Sequence, residues 1–304
     1  MAAVSVLRPG MFTTVQDLGR WGFQSRGVPV SGALDWYSHR LANRLLGNAP
    51  AMATLEVTLI GPHLRFEADT VVAVTGAEFR LTLDGAPIEM NRPVEAWSGA
   101  ILKFGERVRG ARAYVAVTGG IDVPAVLGSR STHVLTGMGG FDGRALRTGD
   151  ALAVGVSGKG RGIIAPDPLP LTPSSAPATA TLRAVPVDAG LFAHISSQRL
   201  RLSPQSDRMG YRLEGTPIRD APSGELISTA VPTGAIQVPP TGQPILLMND
   251  HATTGGYAIA GTVITADLPI AGQLAPGDWI EFAACSIETA DAELRHLEDA
   301  FGAA

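Results

Sequence analysis

The sequence contains a single cysteine, Cys285, among its 304 residues. One thiol excludes an internal disulfide and a cysteine-rich metal site, and it is typical of a reducing compartment. The chain also lacks a run of about 18 apolar residues and a basic-then-apolar start. We therefore predict a cytoplasmic protein with no signal peptide and no membrane partner.

Aromatic residues and basic tracts are also scarce. Aromatic residues make up 6% of the chain and hydrophobic residues 45%, so we expect cores built from Val, Leu, Ile and Ala. The formal net charge is −4 and the chain has no basic tract, so we predict that it does not bind nucleic acid. The histidines include no His-x-x-x-His pair, so we expect no bound metal.

Several motifs of nucleotide-binding proteins and hydrolases are missing. No Gly-x-x-x-x-Gly-Lys-[Ser/Thr] loop is present, and the glycine-rich stretch 137–143 lacks the spacing and the following helix of a dinucleotide fingerprint. Ser129 and Ser206 lack the nucleophile-elbow motif of serine hydrolases. Cys285, near the end of a predicted strand, is expected to be a buried hydrophobe and not a nucleophile.

Glycine and proline, by contrast, are abundant. The 36 glycines and 22 prolines separate short apolar runs, a pattern that favours β-barrels over a parallel βαβ sheet. Two helices are predicted. The first has Asp35 as its N-cap and extends to about Leu46, with Tyr37, Leu41 and Leu45 on one face. The second begins at about Thr289.

Four short sequence words occur twice and in the same order. This repetition predicts two related halves, with an insertion of about 53 residues in the first half between roughly residues 31 and 94. Arg20 would then correspond to Arg208, and Thr118 to Thr254. The repeated words are Arg20-x-Gly-Phe with Arg208-x-Gly-Tyr, Gly99-Ala-Ile with Gly234-Ala-Ile, Thr118-Gly-Gly with Thr254-Gly-Gly, and Gly149-Asp with Gly277-Asp.

The predicted halves are separated by a proline-rich stretch. Residues 165–181 combine proline with small residues, which predicts a stiff and exposed linker. The predicted domains are a first half with a helical insertion at 1–164 and a second half with a terminal helix at 182–304. Polar residues and turn formers concentrate in the second half, between Ser206 and Asp278, where rigid strands commonly hold a site.

Several longer motifs occur along the chain in a fixed order. They are Gln16-Asp-Leu-Gly-Arg20, Gly32-Ala-Leu-Asp35, Ala42-Asn-Arg-Leu-Leu-Gly-Asn48, Leu55-Glu56, Gly61-Pro62, Gly128-Ser-Arg-Ser-Thr132, Ser206-Asp-Arg-Met-Gly-Tyr211 and Thr253-Thr-Gly-Gly-Tyr257. With these motifs in this order, the chain resembles the KipA family, also called allophanate hydrolase subunit 2 or biotin-dependent carboxyltransferase family proteins, over about residues 5–283. Ala252 stands where this family usually has Gln, and Ala258 where it often has Pro.

The resemblance implies a fold, an activity and partners. The implied fold is mainly β, with two cyclophilin-like β-barrel halves and few helices. The implied function is that of the C subunit of an ATP-dependent 5-oxoprolinase, which hydrolyses 5-oxoproline to glutamate together with a KipI-like subunit and a LamB/YcsF-like subunit. Two alternatives remain: carboxyl transfer from biotin, as in urea carboxylase, and non-catalytic regulation of a KipI-like partner. ATP would be bound by this chain through another architecture or by one of the partner subunits.

The polar residues supply a chemistry for a small amide substrate. Opening a lactam requires a base, cations for phosphate or carboxylate, and donors for an oxyanion. Asp207, Asp250 and His251 are the predicted catalytic residues, and Asp17 is a further candidate base. The predicted substrate-binding residues are Gln16, Asp17, Arg20, Ser206, Arg208, Gln237, Thr253, Thr254 and Tyr257.

Structural roles compete with these assignments. Asp207 with Arg208, and Asp17 with Arg20, could be ion pairs that close turns, and His251 could be a turn histidine satisfied by backbone. If the residues are functional, the pseudo-symmetry predicts that 16–20, 206–208 and 250–251 line one cleft between the halves.

Overall fold

The computed structural model describes residues 3–155, 178–219 and 227–302. These residues form two compact units, the first from residues 3–20 and 31–155 and the second from the remainder. Residues 21–30 belong to the second unit, although the sequence prediction places them in the first half. The predicted linker lies outside the described residues up to residue 177, and a strand begins at Thr179. The domain boundaries stay a prediction.

The first unit is a nine-stranded antiparallel sheet with one α-helix among its described residues. The pairing order is β2-β3-β8-β4-β1-β9, and the long strands β5 and β8 also pair with each other. Every strand predicted in this half is confirmed. The elements are β1 Ala3–Arg8, β2 Phe12–Gln16, α1 Trp36–Leu45, β3 Thr54–Thr58, β4 His63–Phe66, β5 Thr70–Leu83, β6 Ala86–Ile88, β7 Val94–Ala96, β8 Ile101–Val117 and β9 Ala151–Ala153.

The second unit is built around a closed barrel of seven strands, β10-β17-β14-β15-β12-β11-β18. Strands β10 and β18 pair in parallel, and the other neighbours are antiparallel. The elements are β10 Thr179–Pro186, α2 Ala189–Ser196, β11 Leu200–Leu202, β12 Gly210–Glu214, β13 Thr229–Ala230, β14 Ala235–Val238, β15 Ile245–Leu247, β16 Thr254–Gly255, β17 Ala258–Val263, α3 Leu268–Gly272, β18 Trp279–Ala284 and α4 Ile287–Gly302.

Alternating side chains fill the barrel. In β11, Leu200 and Leu202 are buried while Arg201 is exposed, and in β18 Ile280 and Phe282 are buried. This period of two is the strand pattern that places one face against a core. The predicted fold class, mainly β with few helices, is confirmed.

Both predicted helices are present. Asp35 caps α1 by accepting from the Ser38 backbone N–H at 2.8 Å, and Tyr37 and Leu41 are buried on its inner face. The terminal helix α4 begins at Ile287, two residues before the predicted start. Helices α2 and α3 were not predicted. No described helix has the length and apolar character needed to cross a membrane.

Buried polar side chains anchor α1 to the loop that follows it. Nε2 of His39 lies 3.1 Å from the Pro50 carbonyl oxygen, and Nδ1 lies 2.9 Å from the Thr54 hydroxyl. Asn43 donates to the Met52 carbonyl at 2.8 Å, and Asn48 donates to the Val117 carbonyl at 2.9 Å. The motif Ala42–Asn48 therefore has a structural explanation.

We expect His39 to make folding sensitive to acid. Burial disfavours its charged form and lowers its pKa to about 4, although the nearby Asp17 charge opposes this shift. The unfolded chain binds the proton below about pH 6.5, so the free energy of unfolding should fall by about 1.4 kcal/mol per pH unit between there and about pH 4. Urea unfolding of His39→Gln across this window should lack that contribution. The exposed His296→Gln is the control, and an unchanged slope in His39→Gln would refute the assignment.

Candidate functional site

The predicted site residues fall into two polar clusters, one in each unit. The N-terminal cluster comprises Gln16, Asp17, Arg20 and the loops 128–132 and 137–143. The C-terminal cluster comprises 206–208, Thr233, Gln237 and 250–257. Whether the two clusters line one cleft stays a prediction.

Asp17 is the centre of the N-terminal cluster and follows directly after β2. Its buried carboxylate accepts from the Ser129 hydroxyl at 2.7 Å, the Arg130 backbone N–H at 2.6 Å, the Gly19 backbone N–H at 2.8 Å and the Ser131 hydroxyl. Burial raises its pKa, but these four hydrogen bonds outweigh burial and hold the pKa below its usual value. Asp17 is thus an ionised anchor for loop 128–132 and has little capacity left to act as a base.

Gln16 and Arg20 flank this carboxylate and are equally buried. Gln16 donates to the Thr132 carbonyl at 3.2 Å, while its Oε1 is a buried acceptor with no partner among the described residues. Arg20 donates to the Ser131 carbonyl through Nη2. Substrate binding by Gln16, Asp17 and Arg20 stays a prediction, and it would require a ligand to reach the interior of the first unit.

The glycine-rich loop 137–143 has a packing role. Gly140 has a φ of +59°, and a Cβ there would lie 1.9 Å from the Thr132 hydroxyl. A Cβ on Gly139, at a φ of +66°, would lie 2.2 Å from the Ser131 carbonyl oxygen. Only glycine allows this loop to lie directly on Ser131 and Thr132, which accounts for a glycine-rich stretch that is not a dinucleotide fingerprint.

Arg208 and Asp250 form the buried ion pair of the C-terminal cluster. Nε of Arg208 lies 2.9 Å from Oδ2 of Asp250, and Nη2 lies 3.1 Å from Oδ1. The two residues are only 7% and 5% exposed. Such a bidentate pair satisfies both carboxylate oxygens of Asp250 and engages the Nε and Nη2 edge of the Arg208 guanidinium. The predicted roles of Arg208 and Asp250 in binding and catalysis stay predictions.

Asp207 and Ser206 organise the turn before β12. Oδ1 of Asp207 accepts from the backbone N–H of Met209 at 2.8 Å and of Gly210 at 3.2 Å. The Ser206 hydroxyl accepts from the Arg212 backbone N–H at 3.0 Å. The exposed Asp207 carboxylate closes its own turn through these backbone N–H groups, while Arg208 pairs with Asp250. The alternative in which Asp207 pairs with Arg208 stays a prediction.

His251 is held in one tautomer. Its Nδ1 lies 2.6 Å from the Ala252 carbonyl oxygen, which can only accept, so Nδ1 carries the proton. Nε2 then accepts from the Thr233 hydroxyl at 3.1 Å. Burial lowers the pKa of His251, although the Ala252 carbonyl and the Asp250 charge oppose the shift. The ring is neutral at pH 7, with its basic nitrogen facing Thr233.

Gln237 on β14 carries the other polar group of interest. The residue is 5% exposed, and its Nε2 is a buried donor with no partner among the described residues. A Cβ on Gly255 would lie 2.3 Å from this nitrogen, so glycine at 255 leaves room for the amide. Thr253 is buried and its carbonyl accepts from the Val231 N–H at 3.1 Å, whereas Thr254 and Tyr257 are exposed.

Thr233 is the member of this cluster that the sequence analysis missed. It lies in Pro232-Thr233-Gly234, which has no catalytic motif, and only the fold brings it to His251. Among the described residues, no three His, Cys, Asp or Glu side chains are grouped to hold a metal. Cys285 is half-buried, and burial raises the pKa of its thiol, which does not favour a nucleophile.

Comparison with known proteins places this chain among carboxyltransferase-type proteins. It is 39% identical over 293 residues to the C subunit of 5-oxoprolinase from Escherichia coli, covering 94% of this chain and 93% of that one. It is 35% identical to urea amidolyase of Saccharomyces cerevisiae over 94% of this chain but 17% of that protein.

A solved structure gives the same result for the fold. The crystal structure of Kluyveromyces lactis urea carboxylase matches with a TM-score of 0.87 and 33% identity, over 98% of this chain and 29% of that chain. The model of the family described as carboxyltransferase domain, subdomain A and B, matches residues 26–284. The chain therefore belongs to the carboxyltransferase domain, subdomain A and B, family.

Proposed function

We propose that this protein is the C subunit of an ATP-dependent 5-oxoprolinase, which hydrolyses 5-oxoproline to glutamate. The observation that carries the proposal is the match to the E. coli 5-oxoprolinase chain, which extends over 94% of this chain and 93% of the relative. The urea amidolyase and urea carboxylase matches extend over 17% and 29% of those much longer chains. The match to the 5-oxoprolinase chain thus spans nearly all of that relative, whereas the other two matches span a small part of theirs.

The C-terminal cluster supports chemistry on a small amide. The Gln237 amide is a buried donor that can bind a carbonyl oxygen, and leaving such a donor without an acceptor costs about 1–3 kcal/mol. The neutral His251 can act as the base that activates water. The carbonyl oxygen of a lactam such as 5-oxoproline would accept from the Gln237 amide, and its carbonyl carbon would react with the water that His251 activates.

The proposed complex divides the work between its chains. Lactam opening with ATP requires phosphorylation of the amide oxygen, and this chain has no P-loop motif for the nucleotide. We therefore place ATP on the KipI-like or the LamB/YcsF-like partner. The cytoplasm, where ATP is available, is the proposed location.

Reconstitution tests the proposed function. The purified chain alone should show little hydrolysis, and mixing it with the KipI-like and LamB/YcsF-like partners should produce glutamate and ADP in a 5-oxoproline-dependent reaction. Omitting each partner in turn is the control. Robust turnover by this chain alone, or none by the complete mixture, would exclude the proposal.

Carboxyl transfer from biotin is the second candidate. It is favoured by the similarity to urea carboxylase, which covers 98% of this chain. Carboxyl transfer needs a donor for the ureido oxygen of biotin and a base, and the Gln237 amide and His251 could supply both. A carboxylated biotin carrier domain incubated with the chain and urea should then lose its carboxyl group, and the omission of urea is the control.

A further inference from the structure

The hydrogen bonds of His251 leave one path by which a proton can reach its imidazole ring, and that path passes Thr233. His251 is 7% exposed, its Nδ1 is bound to the Ala252 carbonyl, and its Nε2 faces the Thr233 hydroxyl at 3.1 Å. Thr233 is half-buried and thus more accessible than the ring. A proton that reaches Nε2 from a bound molecule would have to pass through the Thr233 oxygen.

Backbone hydrogen bonds hold this contact from both sides. Val231 donates to the Thr253 carbonyl at 3.1 Å, and Gly234 donates to the Leu247 carbonyl at 2.8 Å, so the two segments are joined on either side of the contact. Ala235 donates to the Pro232 carbonyl at 3.2 Å, and Gly234 has a φ of +87°. These are the features of a type II turn with Thr233 at its second position, and they preorganise the hydroxyl.

The neighbouring carboxylate does not orient the ring. Asp250 directs both oxygens to Arg208 at 2.9 and 3.1 Å. The Ala252 carbonyl is therefore the group that orients the imidazole, as a carboxylate does in a Ser-His-Asp triad. A carbonyl fixes the tautomer without adding a negative charge beside the ring.

We propose that Thr233 is a catalytic residue, whose hydroxyl relays a proton from an attacking water to Nε2 of His251. This inference rests on the proposed amide hydrolysis. As the water oxygen bonds to the carbonyl carbon of the activated lactam, one water proton moves to the Thr233 oxygen and the Thr233 proton moves to Nε2. When the C–N bond breaks, its electron pair stays on nitrogen, the imidazolium returns the proton to that nitrogen by the same path, and the hydroxyl that came from water loses its proton to solvent as the C=O bond forms. The phosphoryl group stays on the other oxygen as an acyl phosphate, and a second water hydrolyses it to glutamate and inorganic phosphate.

Threonine variants of the reconstituted complex test the relay. Thr233→Val keeps the shape and removes the hydroxyl, so kcat should fall about 100-fold or more, within the range for loss of a proton-transfer group. Thr233→Ser should stay within about tenfold of wild type. The acid limb that His251 contributes to the pH–rate profile should disappear in Thr233→Val. Thr216→Val is the matched control. Thr216 is exposed, and its backbone carbonyl, which the substitution keeps, accepts from the Gln198 side chain at 3.0 Å.

The outcomes separate the relay from the proposed function. Normal activity and an unchanged pH profile in a folded Thr233→Val would overturn the relay, as would equal losses in the serine and valine variants. Nitrogen NMR of the His251 ring in the isolated chain needs no turnover and should show the Nδ1-protonated tautomer. If the wild-type complex does not hydrolyse 5-oxoproline, the proposed function fails, and a ring protonated on Nε2 would independently exclude the relay.

Discussion

Arg208→Ala should lower the free energy of unfolding by about 3–5 kcal/mol, the usual effect of removing one partner from a buried ion pair. The substitution leaves the Asp250 carboxylate buried without the guanidinium that now lies 2.9 and 3.1 Å from its oxygens. Denaturant unfolding of the isolated chain measures this loss. In the reconstituted complex, turnover should fall as well. Asp250 directly precedes His251 in the same loop, so a displaced Asp250 should also displace His251.

A double variant distinguishes the pair's structural role from a chemical one. Arg208→Leu with Asp250→Leu removes both charges and should recover most of the lost stability, because replacement of a whole buried pair is often nearly neutral. Asp250→Ala alone should resemble Arg208→Ala. If the double variant is stable but inactive, one of the two residues acts in the reaction. A single Arg208→Ala variant with wild-type stability would contradict the buried pair itself.

Asp17→Ala should destabilise the first unit by about 4 kcal/mol or more, since it leaves four donors, two of them buried and two part-buried, without their acceptor at about 1–3 kcal/mol each. The donors are the hydroxyls of Ser129 and Ser131 and the backbone N–H groups of Gly19 and Arg130. Thermal or denaturant unfolding measures the effect, and Asp299→Ala on the exposed face of α4 is the control. A change below about 1 kcal/mol would contradict the anchor role, because a surface substitution has that size.

The pH dependence of the same group provides a second check. The folded-state pKa of Asp17 is depressed, because its hydrogen bonds outweigh the effect of burial. Its contribution is therefore present above the unfolded pKa of about 4 and is lost as the pH falls through the lower folded value. Asp17→Asn should be less stable than wild type at neutral pH and should lack this acid-dependent loss.

Local sequence signals predicted much of the fold. Asp35 followed by an apolar face at Tyr37 and Leu41 predicted α1, and the structure shows the cap at 2.8 Å. Short, nearly continuous apolar runs predicted the strands around Val71 and Ala113. Helix α3 was missed, since it has only five residues and contains Gly272 at its end. Such a short helix forms through tertiary packing and not through its own propensity.

The sequence also singled out the polar residues of the candidate site, but it did not show which groups they contact. Asp250 and His251 were singled out because turn formers and charges concentrate between Ser206 and Asp278, and Arg208 also because it begins a repeated sequence word. Thr233 was missed because hydroxyl activation depends on the atom opposite the hydroxyl, and His251 lies 18 residues away in the chain. Asp17 was predicted as a candidate base, whereas the structure surrounds it with donors from residues more than 100 positions later.

The sequence by itself determined the β class, the turns that require glycine and the capped helix, because these follow from side-chain period and local backbone conformation. The tertiary structure alone decided which charges are satisfied and which nitrogen of His251 is basic. Arg208 meets Asp250 across 42 residues, and the Ala252 carbonyl and Thr233 together set the tautomer. The reason is physical: a group's charge and proton depend on burial and on the donors around it, which only the folded chain brings together.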